Sequence, residues 1–141
     1  MLSVLIPDHA VGDAIAPIEL EVTYERCVLC VSATRDFNPL PYDRDAARAA
    51  GLPDVFINTM TYQGLFARYA LEWGGRDAFL VELALSMRKV NIPGDRLRVT
   101  GVVVDAGEGE AGRWAILELT GSNDRVGVST TATAELRWEQ A

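Results

Sequence analysis

Positive charge is what this chain has least of for its length. Among 141 residues, 13 Lys and Arg stand against 20 Asp and Glu, for a net charge of −7. Phosphate backbones are held by clustered cations, so nucleic acid is excluded as a partner, and the close pair Arg88-Lys89 is too small to reverse that. Histidine and cysteine are scarce as well. One His (His9) and two Cys (Cys27, Cys30) do not make a zinc site, and no metal is expected. Long apolar runs are missing: none approaches the roughly 20 residues of a membrane span. The apolar start, Met1 to Ile6, lacks a basic flank and runs straight into Pro7-Asp8, unlike a secretory signal. A cytoplasmic protein is expected.

What is present is the balance of a globular domain, 49% hydrophobic and 23% charged, with a length that suits one domain over 1–141. The first 17 residues read as an irregular lead-in with at most one short strand. Glu19–Tyr24 reads as a half-exposed strand or a helix start, and the apolar run Arg26–Ala33 as a buried strand. On a strand, Cys27 and Cys30 would point to opposite faces, suiting neither a disulfide nor a shared ligand. They read as two structural thiols, without the preceding helix N-terminus of a thioredoxin-like motif.

The stretch Arg35–Asp43 (RDFNPLPYD) organises the rest. Asn-Pro followed by a second proline fixes backbone angles and removes N–H donors, so it reads as a rigid turn at the end of a strand. Asp36 and Asn38 on such a turn either carry chemistry, as residues on stiff loops often do, or hydrogen-bond their own backbone. Asp43–Ala50 is a short helix with acids at its start, ended by Gly51. Asn58 and Thr59 cap the main helix, which runs to Trp73 and stops at Gly74-Gly75. It is apolar around much of its circumference and must be wrapped by other structure. The period then changes to two. Phe79–Val90, Asp95–Asp105, Arg113–Thr120 and Arg125–Trp138 read as four strands of an antiparallel meander, giving an α+β fold with the helix against one face of the sheet.

Three pieces in this order carry a resemblance: Ala33-Thr34-Arg35-Asp36-Phe37-Asn38-Pro39, the run Tyr42 to Gly51, and Ile92-Pro93-Gly94-Asp95. Over about Val11 to Trp138 the chain resembles the MaoC-like hydratases and dehydratases of the hotdog fold. The resemblance implies an antiparallel sheet wrapped around one long central helix, a dimer with sites at the subunit boundary, no cofactor, and enoyl or 3-hydroxyacyl thioesters of coenzyme A or a carrier protein as substrates. In that family an Asp-x-Asn-Pro-x-His turn supplies the catalytic Asp and His. Asp36, Asn38 and Pro39 match it, while Pro41 stands at the His position. The family's His-Gly-Met at the start of the long helix is Asn58-Thr59-Met60 here.

Hydration of an enoyl thioester needs a base for water, a proton donor to the α-carbon and donors for the enolate oxygen. Asp36 is the candidate base, Asn38 holds it or the water, and the Thr59 N–H at the helix N-terminus faces the oxygen. Tyr62 and Tyr42 are either donors in the pocket or hydroxyls satisfied elsewhere. Asn58, Thr59, Pro41 and Tyr42 are the expected substrate-binding set, and His9 has no assigned role. Three classes follow: a hydro-lyase, as a homodimer or completed by a His-bearing homologue; a hotdog enzyme turned to cyclisation or isomerisation of a polyketide-like intermediate; and a non-catalytic acyl-binding subunit of a heteromeric hydratase.

Overall fold

A computed structural model describes residues 10–139; His9 lies outside them. The order of elements is β1 (Ala14–Glu21), α1 (Tyr24–Thr34), α2 (Arg44–Ala49), α3 (Thr59–Gly74), β2 (Phe79–Met87), β3 (Arg96–Gly109), β4 (Gly112–Asn123) and β5 (Gly127–Trp138). One antiparallel sheet forms in the order β1-β3-β4-β5-β2, wrapped around α3 as the hotdog resemblance implies. Only β3, β4 and β5 make a meander. β2 crosses over to pair with β5, Phe79 opposite Arg137 and Met87 opposite Thr130, which corrects the four-strand meander.

α3 is held by what its sequence puts on one side. Tyr62, Phe66, Tyr69 and Ala70 recur at helical spacing and are buried against Leu97, Val99, Leu117, Leu119, Ala134 and Leu136 of the sheet. Tyr69 donates its hydroxyl hydrogen to the Ala16 carbonyl at 3.0 Å, tying the helix to edge strand β1. At its C-terminal end the helix lies so close to the sheet that a Cβ on Gly74 would meet Ala78 Cβ at 2.7 Å and Leu136 Cδ1 at 2.9 Å. Trp138 Nε1 donates to the Gly74 carbonyl at 2.9 Å and closes that end.

The run expected as a strand over Arg26–Ala33 is helix α1. Thr23 is its N-cap, extended at φ −118° and ψ 159°, and its Oγ1 accepts from the Arg26 N–H at 3.1 Å. Cys27 and Val31, four apart, are the residues it buries. The β-branched and Cys content argued for a strand; burial of one helical stripe decides otherwise. Cys27 and Cys30, three apart, therefore share a face, and the motif does follow a helix N-terminus. Both are free thiols. Burial, with the neighbouring Cys30 adding to it, pushes the Cys27 thiol up to about 12, so it is an unreactive core group.

A polar network fills one end of the core. Asn91 Nδ2 donates to Tyr62 Oη and to Ser129 Oγ at 2.9 Å. Asn123 Nδ2 donates to Asn91 Oδ1 at 2.6 Å. Arg125 grips the buried Asp95 through Nε (2.9 Å to Oδ1) and Nη2 (2.8 Å to Oδ2). Burial alone would raise the Asp95 carboxyl; the Arg125 guanidinium and the Ile92 N–H outweigh it and hold the group below the usual carboxylate range. A carboxyl depressed in the folded state stabilises the fold at pH above its unfolded value. That contribution is lost as pH falls through the unfolded and then the folded value. Denaturant midpoints are therefore expected to drop on acidification, and Arg125→Ala should flatten that part of the profile. An unchanged slope in Arg125→Ala would assign the acid sensitivity to other carboxylates.

Among the described residues no group of His, Cys, Asp and Glu lies together as a metal site. No described helix is long and apolar enough to cross a membrane.

Candidate active site

The organising turn follows a helix, not a strand. α1 ends at Arg35, whose φ of 51° and ψ of 43° are left-handed, and the Asp36 N–H closes the end on the Val31 carbonyl at 3.0 Å. Two side-chain turns then run in series. Asp36 Oδ1 accepts from the Asn38 N–H and Asn38 Oδ1 from the Leu40 N–H, each at 3.1 Å. The N–H groups of Tyr42 and Asp43 fold back on the Pro39 carbonyl at 3.0 and 2.8 Å. Asp43 then caps α2, accepting from the N–H groups of Asp45 and Ala46. Asp36 and Asn38 thus do bond their own backbone.

Asp36 also reaches further. Its Oδ2 accepts from Asn58 Nδ2 at 3.0 Å. Asn58 is 2% exposed, and every polar atom of its side chain is used: Nδ2 also donates to Thr34 Oγ1 at 2.8 Å, and Oδ1 accepts from the Thr61 N–H at 3.3 Å and the Thr61 hydroxyl at 2.5 Å. Thr34 passes its own hydroxyl hydrogen to the Cys30 carbonyl at 2.7 Å. One buried amide therefore fixes three things: the α1 C-terminus, the Asp36 carboxylate and the α3 N-terminus. The sequence placed Asn58 as a cap and a substrate contact; its bridge to Asp36 is long-range and had no local signal.

Asp36 is half-buried at the rim of a surface pocket of about 290 Å³ shared with Val28, Val31, Ser32, Arg35, Phe37 and Tyr42. Phe37 projects from it, 87% exposed. Thr59 opens α3 as an exposed residue, where the first N–H groups of a helix have no intrahelical partner. Tyr42 is partly exposed on the same pocket. Pro41 is buried and is not among the lining residues.

Tyr62 is elsewhere. It is fully buried, its hydroxyl bonded by Asn91 in the core network, and burial pushes it up to about 12 despite that hydrogen bond. The described residues contain no imidazole, because the chain's single His is His9. The geometry gives a positioned carboxylate, an amide that orients it and a helix N-terminus.

No family model matches the chain. It is 34% identical over 104 residues to the 3-oxo-4,17-pregnadiene-20-carboxyl-CoA hydratase beta subunit of Mycobacterium tuberculosis, a match covering 74% of this chain and 77% of that protein. A chain in the crystal structure of the ChsH1-ChsH2 complex from the same organism superposes with a TM-score of 0.85 at 30% identity, over 92% of this chain and 98% of that one. The (R)-hydratase from A. caviae involved in PHA biosynthesis shares the fold, with a TM-score of 0.81 at 18% identity over 93% and 98% of the two chains. With the Asp-x-Asn-Pro turn, the helix-wrapping sheet and this level of identity together, the chain belongs to the MaoC-like hydratase and dehydratase family of hotdog proteins.

Proposed function

We propose that this chain is one subunit of a hydratase acting on an enoyl thioester of coenzyme A, and that a second, His-bearing subunit supplies the base for water. The observation that carries the reading is the Asp36–Asn58 pairing at the start of α3, in a described chain without an imidazole. In the reaction, water adds its oxygen to the β-carbon while a base takes its proton. The enolate oxygen formed at the thioester carbonyl accepts hydrogen bonds from donors such as the Thr59 N–H, and the α-carbon is then protonated. The Asp36 carboxylate orients the incoming imidazole and favours its protonated form; Asn58 keeps Asp36 in place and Asn38 holds the turn. Pro41, in this reading, stands where the family's imidazole would be, and Tyr42 borders the entering acyl group.

Two similarities support a heteromer: the relative described as a beta subunit, and the superposing chain from a two-component complex. The sheet edges support association with a second chain. Edge strand β1 carries Pro17, Glu19 and Glu21, which discourage pairing. Edge strand β2 carries Phe79 at 68% exposure and Val81 at 41%. β2 is the edge suited to join a second sheet.

Co-expression with a His-bearing MaoC-like homologue is the test. The two chains are expected to co-purify and to hydrate an enoyl-CoA, read as loss of the conjugated-thioester absorbance, while this chain alone does so at least about 100-fold more slowly, the lower end of what general base catalysis supplies. Rapid hydration by this chain alone would overturn the two-subunit reading and make Asp36 the base.

A further inference from the structure

The chain's one lysine and two of its arginines meet at a place that the site above does not use. A surface pocket of about 320 Å³ is lined by Leu52, Pro53, Met87, Val90 and Val126, with Arg88, Lys89 and Arg125 around it. No carboxylate lines it, in a chain whose net charge is −7. Arg88 is exposed and makes no side-chain hydrogen bond or ion pair among the described residues. Lys89 spends one of its hydrogens on the Val126 carbonyl at 2.9 Å, which holds its ammonium across the pocket. Arg125 is fixed by Asp95 and by the Val90 carbonyl through Nε and Nη2, so its Nη1 edge is uncommitted.

We propose that this pocket binds the adenosine end of coenzyme A, the apolar floor taking the purine and Arg88, Lys89 and Arg125 the phosphates. The inference rests on the hydratase reading for its choice of nucleotide. Three observations favour it. Arg125 is balanced by Asp95, but Arg88 and Lys89 have no carboxylate beside them in the pocket lining and make a local positive field on an acidic protein, and phosphate groups are the anions such a field selects. Leu52, Pro53, Met87, Val90 and Val126 give the pocket apolar surface for a purine ring to pack on, which a bare phosphate would not need. The position also fits the length of the ligand. Pro53 is five residues before Asn58, at most about 18 Å of extended chain, and the far wall runs into Asn91, whose carbonyl accepts from the Ile57 N–H at 3.1 Å. A pantetheine arm is of comparable length, so a nucleotide held here leaves the thioester within reach of the α3 N-terminus.

Isothermal titration of the purified protein with adenosine 3′,5′-bisphosphate, coenzyme A, phosphopantetheine and inorganic phosphate tests this. Arg88→Glu and Lys89→Glu are the variants, both at exposed positions outside the candidate active site. The nucleotide and coenzyme A are expected to bind, with affinity falling as salt rises. Each charge reversal is expected to weaken both by about tenfold, which corresponds to about 1.4 kcal/mol. Nucleotide that does not bind, or that binds both variants as it does wild type, overturns the proposal. Phosphopantetheine binding as tightly as coenzyme A also overturns it, and points to a carrier-protein substrate. An enoyl thioester of N-acetylcysteamine separates this site from the reaction. If both variants turn it over like wild type and also keep the wild-type KM for the coenzyme A thioester, the site falls and the hydratase stands. If nucleotide binding behaves as expected but no enoyl thioester is ever hydrated, the hydratase reading falls and the site stands.

Discussion

Asp36→Asn is expected to lower turnover of the assembled hydratase by roughly 10²–10⁴-fold, the range that proton-transfer groups and their partners supply, with little change in KM. The structure explains why folding should survive. The new amide still presents an oxygen to one of the two donors now shared by the carboxylate, the Asn38 N–H and Asn58 Nδ2. The other donor loses its partner, which costs about 1–2 kcal/mol at a half-buried position. What the amide cannot do is offer a negative charge to an imidazole that gains a proton. A drop in kcat at constant KM is the signature of an interaction made in the transition state alone. Were Asp36 only the first residue of a side-chain turn, kcat would stay at the wild-type value and the stability change would be the whole effect. That outcome would move the chemistry entirely onto the second subunit and leave this chain an acyl-binding component.

The fold was legible wherever a local signal and the final packing agree. α3 announces itself by Asn58 ahead of an apolar 3.6 period and by Gly74-Gly75 behind it, and it forms over Thr59–Gly74. The last four strands announce themselves by period two between glycine-rich turns. α1 was misread because Cys, Val and Leu in a row favour a strand by composition. The contrary signs were Thr23 as a cap, Glu25 in the first turn, and Cys27, Val31 and Thr34 at helical spacing. Strand order was illegible for another reason. β2 pairs with β5 across β3 and β4, from Met87 opposite Thr130 to Phe79 opposite Arg137, and nothing local in either strand names its partner. The candidate site was legible in part. Asp36, Asn38, Asn58 and Thr59 were singled out by the turn and the cap, whereas the Asn58–Asp36 bond depends on how α1 and α3 are brought together. Asn91, Asp95 and Asn123 sit among Pro and Gly, where polar residues usually mean a solvated turn; here they are buried.

That buried cluster supports the largest expected change in stability. Asn91→Leu keeps a side chain of similar size but removes two donors and an acceptor. Tyr62 Oη and Ser129 Oγ lose the Nδ2 hydrogens, and Asn123 Nδ2 loses Oδ1, with Tyr62 and Ser129 fully buried and Asn123 6% exposed. Ser129 Oγ keeps its bond to the Gly121 carbonyl at 3.3 Å and Asn123 Nδ2 a long one to Asp95 at 3.4 Å; with a polar group left short of a partner away from water costing about 1–3 kcal/mol, a loss of about 2–4 kcal/mol is expected after relaxation. Against a total stability of about 5–15 kcal/mol this is a large share. Urea titration should show a much lower midpoint with an unchanged slope. Tyr62→Phe removes one hydroxyl and should cost only about 1 kcal/mol. The double variant should be less damaged than the two single losses added together, because the unpaired Tyr62 hydroxyl is no longer there to be stranded. A midpoint for Asn91→Leu within about 0.5 kcal/mol of wild type, the size of an ordinary surface change, would show that the network is not what holds this end of the core. The same Tyr62→Phe protein also tests the tyrosine's place in catalysis. With its hydroxyl buried on Asn91 and away from Asp36's partners, kcat is expected to stay within about twofold of wild type, well short of the 10²-fold loss that removing a proton donor brings. A loss of that size in a folded Tyr62→Phe protein would return the hydroxyl to the reaction.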